Sequence, residues 1–389
     1  MLVGLALWSL YTWTIATPTL RDRNGNLKGT DFLHFYTLGL VANEHRAADL
    51  YDMDTQTALA TQHVPDAVGI RYLPLYPPHV SIVFAPFAHL PYAWALALWW
   101  VLSSGIYAVC CCSIWRACTH LREHGVTVAL LAAASPAFFN LIAWGQTSAV
   151  ALACFSGVFF LLRDRRDFVA GLVLGCLIFK PQLGLAAAVV FVALGAWRIV
   201  AGAVLSAVAQ LSAGALYYGI EPVRMWLRLL WNVRSIVPLL EPRPYQTHCL
   251  RTFWSMILPW GGISLALYVI SALIVLGWAI QVWRQNQSFA LRMSSLLLAT
   301  VLVAPHLTVY DLVIVTPALL LMADWLIGCA DDAKGIGTTL YFVYLLPLLA
   351  PLTKITHVQL SVIALIALAW MIWRQSREEG PSAREHPLA

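Results

Sequence analysis

Long apolar runs divided by short polar breaks make up most of the chain. Roughly twelve can be drawn as helical spans of about 15–25 residues. They fall at 1–19, 91–115, 126–143, 148–162, 168–179, 183–196, 199–219, 261–283, 290–304, 309–327, 336–352 and 356–373. Polar stretches at 20–78 and 221–260 interrupt this rhythm. The pattern predicts an all-α polytopic membrane protein with one transmembrane domain over 1–375, two long loops at 20–78 and 221–260, and a short tail at 376–389. The count is least constrained over 183–219, where Trp197-Arg198 breaks the run.

The first long loop has a pattern of its own. Residues 42–60 set Leu50, Tyr51, Met53 and Leu59 among acids, as in amphipathic helices lying along an interface. Arg71-Tyr72-Leu73-Pro74-Leu75-Tyr76-Pro77-Pro78 contains three prolines and cannot be regular helix. The apolar run at 80–90 is too short to span and reads as re-entrant or interfacial. The opening run, Leu2 to Pro18, has neither a basic n-region nor an Ala-x-Ala site, so it is read as a first span. It is short at its inner end, which leaves room for an upstream start.

Composition agrees with lipid as the solvent. Of 389 residues, 60% are hydrophobic and 11% charged, with a mean hydropathy of +0.73, against about 25% charged in soluble domains. The 17 Trp and 14 Tyr suit interfacial belts. The net charge of +5 is scattered and forms no basic stripe for nucleic acid. Cys110, Cys111, Cys112, Cys154 and Cys176 lie in apolar runs, Cys118 just past one, and Cys249 in a polar loop. No CxxC pair has metal spacing, so neither a disulfide framework nor a metal site is assigned.

Charge also sets the orientation. With the N-terminus inside, the short loops and tail of one side collect Arg116, Arg122, Arg163, Arg165, Arg166, Arg198, Arg284, Arg292, Lys334, Arg374, Arg377 and Arg384. The short loops of the other side carry only Lys180 and Lys354. The basic side is expected to be cytoplasmic, together with both termini. Asp31, Gln146, Lys180, His306 and both long loops would then face outward, into the periplasm or extracellular space.

The candidate chemistry lies at these outward junctions. Asp31, at a loop–helix junction, can be a desolvated general base or a helix N-cap ahead of Phe32, Leu33 and Phe35. His34 and Tyr36 follow at i+3 and i+5, and His34 would share a helix face with Asp31. Tyr76-Pro77-Pro78-His79 either shapes a lipid groove or is a turn before a helix. In Trp144-Gly145-Gln146-Thr147 the amide of Gln146 can bind sugar or phosphate, or the motif is a plain turn. In Lys180-Pro181-Gln182, Lys180 breaks an apolar run of about thirty residues, either as a cation for phosphate or as a snorkelling side chain. Pro305-His306 and Tyr310-Asp311 form another junction, where His306 and Arg251 can offer charge to phosphate and Asp311 needs a partner. No Gly-rich phosphate cradle appears, so the chain shows no site for a soluble nucleotide donor, and a lipid-linked donor is the natural alternative.

Taken in order, Asp31-Phe32-Leu33-His34-Phe35-Tyr36, Ala48-Asp49-Leu50-Tyr51, Leu75-Tyr76-Pro77-Pro78, Trp144-Gly145-Gln146, Lys180-Pro181-Gln182 and Pro305-His306 resemble glycosyltransferase family 87 over about residues 25–325. These are bacterial polytopic proteins of the GT-C fold, and they include polyprenol-phosphate-mannose-dependent mannosyltransferases. Leu307-Thr308-Val309-Tyr310-Asp311 departs from the more aromatic, His-rich run of the family. The resemblance implies a hexosyltransferase of cell-envelope biosynthesis. It implies inverting transfer of a hexose, with mannose the first choice, from a polyprenyl-phosphate carrier to a glycolipid, glycan or protein acceptor. Asp31 would be the general base. Lys180, Arg251 or His306 would offset the leaving phosphate, the lipid tail would lie beside Tyr76-Pro77-Pro78, and no cofactor or metal would be required. His34, Tyr36, Tyr76, His79, Gln146, Gln182 and Asp311 complete the expected substrate site.

Two other classes compete with this reading: a lipid or sugar transporter or flippase, and a non-catalytic assembly protein. Transporters often carry repeated halves with broken helices at mid-membrane. Here no repeat is found, and the polar features gather on one face.

Overall fold

A computed structural model describes residues 2–232, 241, 243–285, 287–328 and 334–378. The tail beyond residue 378 and residues 233–240 and 242 of the second long loop therefore lie outside the described residues. Among the described residues there is no strand, only the isolated antiparallel bridges Arg21–Leu27 and Thr247–Thr308.

The helices run α1 (Leu2–Ile15), α2 (Thr30–Asn43), α3 (Met53–His63), α4 (Pro78–Phe84), α5 (Tyr92–Ala117), α6 (Gly125–Ala133), α7 (Pro136–Trp144), α8 (Ser148–Arg163), α9 (Asp167–Gly175) and α10 (Pro181–Ala193). They continue with α11 (Trp197–Tyr218), α12 (Glu221–Trp231), α13 (Leu250–Ile257), α14 (Gly261–Arg284), α15 (Phe289–Val303), α16 (Thr316–Gly328), α17 (Lys334–Leu345), α18 (Ala350–Thr356) and α19 (Leu360–Glu378).

Several apolar helices mark a membrane protein, but their lengths divide the expected spans. Five segments are long and apolar enough to cross a bilayer: Tyr92–Ala117, Trp197–Tyr218, Gly261–Arg284, Val309–Gly328 and Gly335–Thr356. The pair Leu121–Ala133 and Pro136–Trp144, bent by 45°, makes a sixth. Among the described residues, five or six of the twelve expected spans thus meet the length and composition of a bilayer crossing. The remaining apolar helices, such as α8, α10 and α15, have 16, 13 and 15 residues. At about 1.5 Å per residue these fall short of a hydrocarbon core about 30 Å thick.

The physical reason is visible in α15. It is buried from Met293 through Val303 and packs against α10, α14, α16 and α19. A helix that is apolar all round and enclosed by other helices carries the hydropathy of a span without needing its length. Chain breaks are equally local. Pro136 at the first position of α7, capped by the Ser135 hydroxyl, forces the bend inside the run 126–143.

The first long loop is largely folded. Within 42–60 the expected helices take the form of a 3-10 turn at Ala47–Tyr51 and the start of α3, and α2 runs ahead of them. Every residue of α2 from Phe32 to Ala42 is buried. Phe32 sits among Phe84, Phe87, Tyr92 and Trp99, its ring stacked on that of Trp99 at 6.1 Å. Each such buried aromatic contributes about 1.5–3 kcal/mol by removal from water. The stretch Tyr76-Pro77-Pro78-His79 leads into α4, which packs on α2 and α11, and Pro77, Pro78 and His79 are buried.

Two glycines bring α2 and the α7–α8 turn together. Gly29 caps α2 in the left-handed region at φ 59°, and Gly145 ends α7 at φ 70°. A Cβ on Gly145 would stand 2.7 Å from the Cβ of Phe32. The turn is pinned from α5, where the Trp99 indole donates to the Gly145 carbonyl at 3.0 Å. Gly145→Ala, which adds left-handed strain to a backbone collision, is expected to cost roughly 2–4 kcal/mol. It should lower the unfolding temperature in detergent by several degrees. An unchanged temperature would mean that the close approach does not matter.

Candidate active site

Asp31 occupies the first turn of α2, but it does not cap the helix. The cap is Gly29, without any side-chain bond, and Thr30 turns its hydroxyl back to the Leu27 carbonyl. The partly buried Asp31 carboxylate instead reaches across to the α7–α8 turn. There Gln146 donates from Nε2 to Oδ2 at 2.7 Å and to the Tyr310 hydroxyl at 3.2 Å.

The amide of Gln146 can point only one way. Lys180, at the junction of α9 and α10, donates from Nζ to Gln146 Oε1 at 3.3 Å, to Ser148 Oγ at 3.2 Å and to Asp311 Oδ1 at 2.9 Å. Lysine has no acceptor, so it must face the amide oxygen, and the amide nitrogen is left facing Asp31. Asp311 is fully engaged. Besides Lys180, it accepts from the Ser148 hydroxyl at Oδ1 and from the Thr308 backbone N–H and hydroxyl at Oδ2. The Lys180 and Asp311 side chains are 5% and 3% exposed, which makes them a buried ion pair.

The two carboxylates therefore differ in kind. Burial raises the pKa of Asp31 to about 6, against the opposing pull of the Gln146 hydrogen bond and the Lys180 charge. Among the described residues no hydrogen bond reaches its Oδ1. Asp49, a carboxylate of the 3-10 turn at Ala47–Tyr51, is held by Arg46.

A second polar cluster lies on the same 305–311 segment. Glu241, 5% exposed at its side chain, pairs with Arg251 and meets His306 Nδ1 at 2.7 Å. Arg251 also donates to the Pro305 carbonyl. Burial works against ionisation of Glu241, yet the His306 hydrogen bond and the charges of His306 and Arg251 hold its pKa below the ordinary range. The clusters are linked through the backbone. His248 N–H donates to the Leu307 carbonyl at 2.8 Å, and Thr308, bridged to Thr247, binds Asp311.

The other expected residues fall into distinct places. His34 is buried against Phe35, Tyr72 and Tyr76, its Nε2 has no partner, and burial lowers its pKa to about 4, so the ring is neutral. Tyr76 packs on Phe35 at 4.8 Å, and its carbonyl accepts from Tyr51. Tyr36 faces away from Asp31, bonding the Leu90 carbonyl at 2.9 Å, as a structural residue would. His79 is buried on α4, and among the described residues neither ring nitrogen has a partner. Gln182 is half-buried in the first turn of α10 and takes no part in the network. Sequence reasoning missed Ser148, Tyr310 as a partner of Gln146, and Glu241. Among the described residues no three His, Cys, Asp or Glu converge as a metal site.

Residues 75–305, more than half of the chain, match glycosyltransferase family 87. The chain belongs to that family. It is accordingly a membrane glycosyltransferase, a transferase and not merely a helical scaffold. No curated protein and no solved structure matches the chain. The family match holds Gln146, Lys180 and Arg251, whereas Asp31 precedes it and Asp311 follows it. The hydrogen bonds described above join these three regions of the transferase into one site.

The ion pair can be tested by removing one half. Lys180→Met strands a buried carboxylate and is expected to cost about 3–5 kcal/mol of stability. Adding Asp311→Asn should restore much of the loss, because the amide oxygen can still accept from Thr308 while the amide nitrogen, in the place of Oδ1, donates to the Ser148 hydroxyl oxygen. Strictly additive losses in unfolding measurements would show that the two side chains are not coupled.

Proposed function

We propose that the protein transfers a hexose, mannose first among the candidates, from a polyprenyl-phosphate carrier to an acceptor hydroxyl at the outer face of the cytoplasmic membrane, with inversion and with Asp31 as general base. The carrying observation is the contrast between the carboxylates: Asp311 is saturated by four donors, while among the described residues no donor reaches Oδ1 of Asp31. In this reading the acceptor O–H gives its proton to Oδ1 as its oxygen attacks the anomeric carbon. The bond from that carbon to the phosphate oxygen breaks, and polyprenyl phosphate leaves with the electron pair.

The buried pairing of Lys180 moves its proposed role. Its charge is already met by Asp311, so it serves as a positioning residue that fixes Gln146 and, through it, Asp31. The leaving phosphate is assigned instead to Arg251 and His306, which are 19% exposed at their side chains and share one carboxylate. The lipid tail is assigned away from Tyr76-Pro77-Pro78, where Pro77 and Pro78 are already packed in the interior. An apolar groove of about 310 Å³ lies between α9, α10 and α11, lined by Leu177, Ile178, Pro181, Leu185, Val200 and Val204 among others. It begins at Pro181, next to Lys180, and suits an isoprenoid chain.

The deciding measurement is transfer of labelled mannose from polyprenyl-phosphate-mannose in membranes. Asp31→Asn is expected to lower transfer by about 10²–10⁴-fold with folding preserved. Equal transfer by both proteins would remove Asp31 from the mechanism. No transfer by the wild type would reject mannose and turn the test to other polyprenyl-phosphate sugars. Transfer should also fall as pH drops through about 6, where Asp31 takes up a proton. Because the Gln146 bond favours the ionised form, Gln146→Leu should move that acid limb to higher pH. A limb that stays in place would assign it to another group.

A further inference from the structure

Four helix ends converge around Trp283: the C-termini of α8, α10 and α14 and the N-terminus of α15. Phe191 meets Trp283 at 5.2 Å, Phe159 meets Phe289 at 5.3 Å, and Arg284 donates to the Ala193 carbonyl at 3.0 Å. Into this aromatic bowl projects Arg292, the one charge on an otherwise apolar α15. Its guanidinium carbon stands 5.5 Å from the Trp283 ring centre and 5.4 Å from that of Phe289.

Nothing on the described residues balances it. Arg292 forms no ion pair there, its Nε has no hydrogen-bond partner, and the buried Trp283 Nε1 has none either. A part-buried guanidinium without a counter-charge, beside an unsatisfied indole N–H, is costly unless something supplies acceptor oxygens. A second cation, Arg163, stands over Phe159 and Phe160 at 6.0 and 5.1 Å, and its own contact with Asp164 is loose at 3.9 Å. The next helices in the chain after α8 and α10 start with exposed apolar side chains suited to acyl chains: Phe168 and Val169 on α9 and Trp197 on α11, at 43%, 42% and 64%.

We propose that the Arg292–Trp283 bowl binds the phosphate of an anionic phospholipid from the leaflet at this end of the bundle. Phosphate oxygens accept from the part-buried guanidinium, whose planar fork matches a phosphate edge, and the Trp283 ring backs it. The site stands apart from the Asp31 network and does not depend on the transfer reaction.

The test uses the purified full-length protein in neutral detergent, titrated with phosphatidylglycerol, phosphatidylcholine or inorganic phosphate while thermal unfolding is followed. Phosphatidylglycerol should raise the unfolding temperature of the wild type by several degrees, and phosphatidylcholine should not. Arg292→Gln should weaken the apparent lipid affinity about tenfold to hundredfold. Trp283→Phe, which removes only the N–H and a little volume, should weaken it less and guards against a misfolded arginine variant. An undiminished response in both variants, or equal responses to the two lipids, overturns the proposal. A full shift from inorganic phosphate alone overturns the lipid assignment in favour of a free anion.

Discussion

A lysine and an aspartate, buried together and far apart in sequence, carry the order of the site. Lys180 and Asp311 stand 2.9 Å apart with almost no exposure. Burying either charge alone would cost several kcal/mol, so each requires the other. Their pairing fixes where the α9–α10 junction meets the 305–315 segment. It also decides which end of the Gln146 amide faces α2. The specificity of such a pair lies less in net stability than in geometry, since an apolar substitute would pack as well but would not orient an amide.

The rest of the bundle serves that geometry from outside. The short helices around the site are covered by longer ones, and α15 fills the centre. On the other flank, α2 is held by aromatic packing against α4 and α5 and by the approach of Gly145 to Phe32. The residue read as the base therefore stands on a buried helix and not on a pliable loop. Precise placement of a base is what general-base catalysis requires, and rigid elements provide it better than loops do.

Much of the helical content was legible as apolar runs, because hydrocarbon-soluble sequence leaves little choice of backbone structure. What hydropathy could not distinguish was a helix facing lipid from one facing other helices, which is why the enclosed α15 reads as a span. The start of α2 was legible, since Asp31 stands at a loop–helix junction ahead of Phe32, Leu33 and Phe35, but its inward packing was not, because Thr30 to Asn43 lies within a stretch read as a long polar loop. In the site, Asp31, Gln146, Lys180 and Asp311 each stood out as polar groups at apolar junctions. Their partnership did not, since Lys180 and Asp311 lie 131 positions apart and Asp31 and Gln146 lie 115 apart. A lone cation in an apolar run invites a phosphate, and its counter-charge becomes visible only in the fold. Ser148 gave no signal, because one hydroxyl in an apolar helix is ordinary.

The hydrogen-bond network also has a polarity. Lys180 directs its ammonium protons to three acceptors, and Gln146 directs its amide protons to Asp31 and Tyr310. Every donor is turned inward, and the path ends in a carboxylate oxygen. In the proposed transfer this leaves the carboxylate to take the proton of the reacting hydroxyl, polyprenyl phosphate to depart as an anion without a proton from the chain, and the part-exposed Asp31 to return its proton to water.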